Sequence, residues 1–224
     1  MLALEINRIQ TNPMKKFLFA LLMSGFYLSL GSKTVIHAGY LFNTDNASIE
    51  PEMSILIEND IILDVVAGYI SPETDDLYID LTGYYILPGL IDMHVHLTSQ
   101  SSSRAYIERT TLNAADYAIR ATKNAEKTLL AGFTSVRNLG DADSITISLR
   151  NAINKGVTFG PRIFSSGTTI STTGGHGDPT NSLNLTFTSD PGPKEGVING
   201  KEDAYKAVRH RYKQDADLIK ITAT

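Results

Sequence analysis

Between positions 33 and 87 apolar and polar residues alternate in short runs, at 34–42, 54–57, 61–66, 77–81 and 84–87. Runs of this length predict β-strands, because successive side chains of an extended chain point to opposite faces. Asn59-Asp60, set between two apolar runs, predicts a tight hairpin turn, and Thr82-Gly83 predicts a second turn. Together they predict a small β-domain over 33–87. The pattern changes from Pro88 onward. Ala118, Ala121, Ala125 and Leu129 recur at helical spacing within AADYAIRATKNAEKTLL (114–130), and Gly132 ends that helix. Strand, helix and strand follow at 134–136, 144–154 and 162–165. A long polar loop runs from about Gly167 to Gly200, then a third helix over 201–214 and a fourth strand over 217–221. Strands alternating with helices predict an α/β class with a parallel sheet.

Chemistry concentrates in PGLIDMHVHL (88–97). Pro88-Gly89 is a turn signal that launches a strand, and a Ser-rich loop follows it. On a strand Asp92, His94 and His96 share one face, with Met93, Val95 and Leu97 on the other. Two imidazoles projected from a stiff strand make half of a metal site, since neutral imidazole suits zinc and similar divalent ions. The plainer alternative is two histidines on a half-exposed strand. In DLIKITA (217–223) Lys220 alternates with Ile219 and Ile221 and points away from the isoleucine face that would pack on helices. Burying an ammonium there is costly, and a neutral lysine amine is a nucleophile. A lysine that snorkels out of the strand end is the alternative. His176 lies in TTGGHGD among Gly174, Gly175 and Gly177, in a loop whose backbone can approach a ligand closely. The plainer alternative is a histidine that bonds Asp178 and orders the loop. Arg137, in VRNLGD, has Asp141 as a structural partner within reach in sequence.

Composition narrows the function classes. The 224 residues are 42% hydrophobic and 20% charged, with a net charge of −4. That is an ordinary globular balance with enough apolar content for a sizeable core. No basic stripe is present to neutralise phosphates, which argues against nucleic acid as a partner. The densest basic run, KAVRHRYK (206–213), reads as the solvated face of a helix. The absence of cysteine excludes disulfides, thiolate zinc sites and a cysteine nucleophile, and no Gly-x-Ser-x-Gly elbow occurs. Lys15 and Lys16 precede the apolar run FLFALLMSGFYLSL (17–30), and Ser29-Leu30-Gly31 supplies small residues at cleavage spacing. This pattern predicts an export signal over 15–31, with Met14 as its start and 1–13 as an upstream extension. The run is shorter than the roughly 20 residues that span a bilayer. Cleavage near Ser32 or Lys33 would leave no stable membrane span and a periplasmic or secreted product. The chain thus divides into an upstream extension and signal peptide (1–32), a small β-domain (33–87) and an α/β region (88–224).

PGLIDMHVHL resembles the first barrel strand of the amidohydrolase superfamily. AGFTSVRNLGD (131–141), GPRIFSSGTTISTTGGHGDPT (160–180) and the stretch 190–224 resemble successive blocks of one of its branches. That branch holds imidazolonepropionase-like and prolidase-like enzymes, which cleave dipeptides or related amides. The resemblance implies a distorted (β/α)8, TIM-like barrel of a metal-dependent hydrolase, preceded by a small β-sandwich-like domain. Such a barrel takes about 250 residues, so four strands amount to its N-terminal half. It implies His94 and His96 as metal ligands and Lys220 as a carbamate bridging two divalent ions of the zinc type. It implies His176 as a substrate contact, with two further histidine ligands and the proton-accepting aspartate beyond Thr224. This sequence departs from the pattern at Asn138, where relatives more often carry Asp. The expected activity is hydrolysis of a C–N bond in a dipeptide or similar small substrate by activated water. A cyclic amidase or deaminase of the same superfamily, or a truncated and inactive chain, are the alternatives. The 224 residues by themselves are expected to be inactive, and homo-oligomerisation is left open.

Overall fold

The computed structural model describes residues 32–223; the export segment predicted over 15–31 lies outside them. The chain forms two compact units, divided between Pro88 and Gly89.

The first unit is one four-stranded sheet of β1 (Thr34–Asn43), β2 (Ser48–Glu58), β3 (Ile61–Ala67) and β4 (Leu77–Ile86), in the order β3-β2-β1-β4. β1–β2 and β2–β3 pair antiparallel, while β1 and β4 pair parallel. Asn59 and Asp60 both take left-handed φ, 49° and 65°, as the tight hairpin turns matched to strand twist require. Thr82-Gly83 does not turn the chain. β4 continues through it as a bulge, where Ala38 opposes Leu81 but Tyr40 opposes Tyr85. The extra residues loop out toward β1, and a Cβ on Gly39 would stand 2.1 Å from the Thr82 carbonyl oxygen. Gly39→Ala is therefore expected to destabilise this unit by about 2 kcal/mol or more, seen as a lower denaturation midpoint. The sheet's buried apolar residues are Ala38, Met53 and Ile55 on one face and Val35 on the other. Within this unit the described residues form this one sheet.

The second unit is built on three parallel strands in the order β5-β6-β7: β5 (Leu90–Val95), β6 (Phe133–Asn138) and β7 (Arg162–Ser165). Between β5 and β6 run α1 (Ala105–Thr111) and α2 (Ala114–Leu130); α3 (Ile145–Asn154) connects β6 to β7. The start of α2 is fixed by a reciprocal capping box between Asn113 and Asp116. Gly132, at φ 95°, ends it. Ala121 and Ala125 are fully buried and let α2 lie close on the sheet, where Val136, Ile163, Leu97, Ile145 and Leu149 complete one core. α1 was not legible in the Ser-rich stretch before it.

After β7 an irregular segment holds a short 3-10 turn (Leu185–Phe187) and leads to α4 (Lys201–Lys213). The stretch expected to be a fourth strand over 217–221 makes only one isolated bridge, Ile221 with Ile170. At its start the Asp217 N–H donates to the Ser165 carbonyl, while the Asp217 carboxylate accepts the Ser165 N–H, both at 2.8 Å, the second a bond that a backbone carbonyl would take in a ladder. The neighbouring chain then leaves the sheet at Gly167, φ 59°. The basic face expected to be solvated over 206–213 is exposed at Lys206, Arg209 and Lys213 but not at Arg211. Arg211 is fully buried, with Nε donating to the Thr168 carbonyl at 2.8 Å and Nη1 to that of Lys194 at 3.1 Å. Among the described residues no helix is long and apolar enough to cross a membrane.

Candidate active site

β5 does not alternate simply. Asp92 pairs with Val136 but Val95 pairs with Asn138, so one extra residue sits on β5 between them. Such a bulge re-aims the side chains that follow it. Two groups stabilise it. The Asp92 carboxylate accepts the His94 N–H at 2.9 Å, and Arg137 Nε donates to the Met93 carbonyl at 2.8 Å. The consequence for the site is direct. His94 and His96 line a cavity of 540 Å³, while Asp92 is spent on the backbone and is not among its lining residues, contrary to the face-sharing expected for all three. Arg137 likewise serves the bulge and not Asp141.

Lys220 lines the same cavity, as do His176, Asp141, Lys194 and His210. The alternation expected around Lys220 holds even without a strand: Leu218, Lys220 and Thr222 are half-buried while Ile219 and Ile221 are exposed. The backbone here is pinned by Ile170 N–H donating to Lys220 O at 2.8 Å and Thr222 N–H to Ile170 O at 2.9 Å. Upstream, the buried Arg150 clamps the segment through Asp215 and Asp217, at 2.7 and 2.6 Å. The structure thus brings His94, His96, His176 and Lys220, four residues singled out from the sequence, around one cavity. A second cavity, 870 Å³, lies between the Ser-rich loop, α1 and α2 and holds none of them.

The two ligand candidates have their rings 5.3 Å apart, tilted by 58°. His96 Nδ1 lies 3.1 Å from the Gly140 carbonyl oxygen. A carbonyl only accepts, so Nδ1 carries the hydrogen and the Nε2 lone pair is left for another partner. A neutral imidazole held this way is how metal-binding histidines are oriented. Gly140 itself has φ 145°, and a Cβ there would lie 2.5 Å from Thr169 Oγ1 and 3.4 Å from His96 Cε1. Gly140→Ala is thus expected to clash with Thr169 and strain the backbone whose carbonyl His96 leans on, weakening metal uptake, measurable by titration with zinc. The donor set suits a divalent ion of the zinc type in part: two imidazole nitrogens, with the Lys220 side chain in the same cavity. Among the described residues no cluster of three His, Cys, Asp or Glu forms a complete site.

His176 is exposed and does not bond Asp178. Asp178 accepts hydrogen bonds from Thr180 Oγ1 and from the N–H groups of Gly174 and Thr180. These hold its carboxyl below the ordinary carboxylate range, so it orders the glycine loop without help from the imidazole. At the cavity rim His210 is pulled below its ordinary value by burial, with the Arg211, Lys194 and Lys213 cations adding to it.

Asp141 behaves in the opposite sense. One carboxylate oxygen accepts both the N–H and the hydroxyl of Thr146, while Oδ1 is buried without a partner. Burial pushes its pKa up, against the hydrogen bonds from Thr146. The folded protein therefore binds this proton more tightly than the unfolded chain. The resulting stability is complete below the ordinary carboxylate value near 3.9 and is lost as pH rises through the raised one. Asp141→Asn is expected to flatten that limb of stability against pH, which denaturation series on parent and variant would show.

A family model for the amidohydrolase family matches residues 85–224, well over half of the sequence. The chain belongs to the amidohydrolase family. It is similar to the crystal structure of a Xaa-Pro dipeptidase with bound methionine in its active site, at 46% identity and a TM-score of 0.80, covering 85% of this chain and 47% of that one. A prolidase structure complexed with N-methylphosphonate-L-proline matches at 30% identity and a TM-score of 0.72, covering 85% and 46%. Ochratoxinase of Aspergillus niger is 30% identical over 117 residues, 47% of this chain and 24% of the enzyme. The chain spans about half the length of these solved structures and a quarter of ochratoxinase. Its α/β fold with a mixed and a parallel sheet is that of these amidohydrolases.

The sequence pointed to the histidine pair, Lys220 and His176, but not to Arg150, which clamps the Lys220 segment, or to Arg211, which holds the Thr168 and Lys194 carbonyls. Arg211 lay in a run that looked like an exposed basic face, and only its burial distinguishes it.

Proposed function

We propose that this amidohydrolase is a metal-dependent dipeptidase of the prolidase type, hydrolysing the C–N bond of a dipeptide or closely related amide. The observation that carries this reading is the convergence of His94, His96, Lys220 and His176 on one cavity, together with 46% identity to a Xaa-Pro dipeptidase. His94 and His96 would hold a divalent ion, of the zinc type, through ring nitrogens. Lys220 would complete the inner wall as a carbamate, its amine adding carbon dioxide and releasing one proton, and so offer oxygen donors to a second ion. Bound there, the ions supply Lewis acidity toward water and the scissile carbonyl.

This chain's own part is to bind and orient. His176, on the glycine loop that Asp178 stiffens, is placed to donate a hydrogen bond to a substrate oxygen. His210 and Lys194 line the same cavity and would offer polar contacts to the ends of a small peptide. The matched structures are about twice as long, and the proton-accepting carboxylate and further ligands would come from the part of such a chain that these 224 residues do not span. The barrel of such a chain would take β5–β7 and the 217–221 stretch as the first four strands. We place the protein outside the cytoplasm, on the export signal read over 15–31.

The test is hydrolysis of a dipeptide panel by the full-length protein, with and without a chelator. Preference for Xaa-Pro substrates, lost on chelation and restored by zinc, supports the reading. Activity confined to cyclic amides or amino-heterocycles would replace it with the cyclic amidase or deaminase alternative.

A further inference from the structure

We propose that Asn138 is a positioning residue that locks His96 in its Nδ1–H form and so keeps Nε2 free as a ligand; this rests on the reading of His96 as a metal-holding residue. Asn138 ends β6, is fully buried, and reaches to both sides of His96. Its Oδ1 accepts the N–H of Leu97, the residue after His96, at 2.9 Å. Its Nδ2 donates to the Gly140 carbonyl at 3.3 Å and to Thr146 Oγ1 at 3.1 Å. That same Gly140 carbonyl accepts the hydrogen of His96 Nδ1.

The amide orientation follows from these partners. An N–H faces one end and a carbonyl the other, so oxygen and nitrogen cannot be exchanged without two like-with-like clashes. One rigid amide therefore fixes the distance between the backbone carrying His96 and the carbonyl on which its ring leans. The bulge in β5 makes this brace necessary. Between Asp92 and Val95 the strand register slips, so the regular ladder does not itself dictate where His96 points. Thr146 anchors the brace from behind, through its hydroxyl contact with Ser165 at 2.7 Å.

A residue that merely fills the core would affect stability alone. A positioning residue also changes the ring. The experiment is nitrogen NMR of the imidazole rings in metal-free full-length protein, combined with zinc titration, for the parent, Asn138→Ala and Thr146→Val. Each variant loses buried hydrogen bonds, but only Asn138→Ala cuts the link between Leu97 and Gly140. The parent is expected to show His96 protonated on Nδ1 alone. Asn138→Ala is expected to show a mixture of the two tautomers and about 10- to 100-fold weaker zinc binding. Thr146→Val is expected to keep the parent's ring signals and affinity while melting lower. Should the alanine variant not fold, Asn138→Ser makes the same comparison, because its short hydroxyl cannot span both partners. The proposal is overturned by a parent ring protonated on Nε2. It is equally overturned by parental signals and affinity in Asn138→Ala, or by an equal change in Thr146→Val. A parent that binds no zinc would instead refute the metal reading, with the ring signals still deciding the role of Asn138.

Discussion

Replacing Lys220 with alanine in the full-length enzyme is expected to lower kcat/KM for dipeptide hydrolysis about a thousand-fold, equivalent to about 4 kcal/mol of transition-state stabilisation. The fall should lie mainly in kcat. Lys220 lines the cavity shared by His94, His96 and His176, yet its backbone is held by bonds to Ile170 that alanine would keep. Its side chain is only half-buried, so little packing is lost. A variant of parental stability but without activity separates a chemical role from a structural one. An equally active Lys220→Ala enzyme would remove Lys220 from the mechanism.

The largest loss of stability is expected at Arg211. Arg211→Met should cost about 3 kcal/mol or more, read as a lowered denaturation midpoint with substrate recognition impaired at the same time. Methionine replaces the aliphatic stem but none of the donors. The carbonyls of Thr168 and Lys194 then lose their charged partner. Asp141, whose buried Oδ1 already lacks a hydrogen bond, also loses the cation that favours its charged form. Because Thr168 and Lys194 line the cavity, the damage reaches the site. A midpoint unchanged within error would show that the burial of this guanidinium contributes nothing net.

These two positions mark how far the sequence could be read. Lys220 was legible because alternation survives wherever a chain is extended, ladder or not: Lys220 and Ile219 fall on opposite sides although 217–221 forms one bridge only. The helix over Ala114–Leu130 was legible from its alanine spacing and from Gly132 after it. Arg211 was not, because a one-dimensional pattern of charges does not show which face of α4 meets the irregular segment before it. The bulge in β5 was not legible either. Strict alternation put Asp92 beside the histidines, whereas one inserted residue turned its carboxylate to the His94 N–H. The β4 bulge defeated the turn signal of Thr82-Gly83 in the same way: a glycine marks a bend or a bulge equally well, and only pairing with β1 decides between them.

Elemental analysis of the purified full-length protein, beside a His94→Ala/His96→Ala variant, tests the metal centre most directly. The expected result is divalent metal, of the zinc type, bound in stoichiometric amount by the parent and largely absent from a still-folded variant, with hydrolytic activity lost in parallel. A parent that hydrolyses dipeptides without bound metal, or a double variant with undiminished metal and activity, would contradict it.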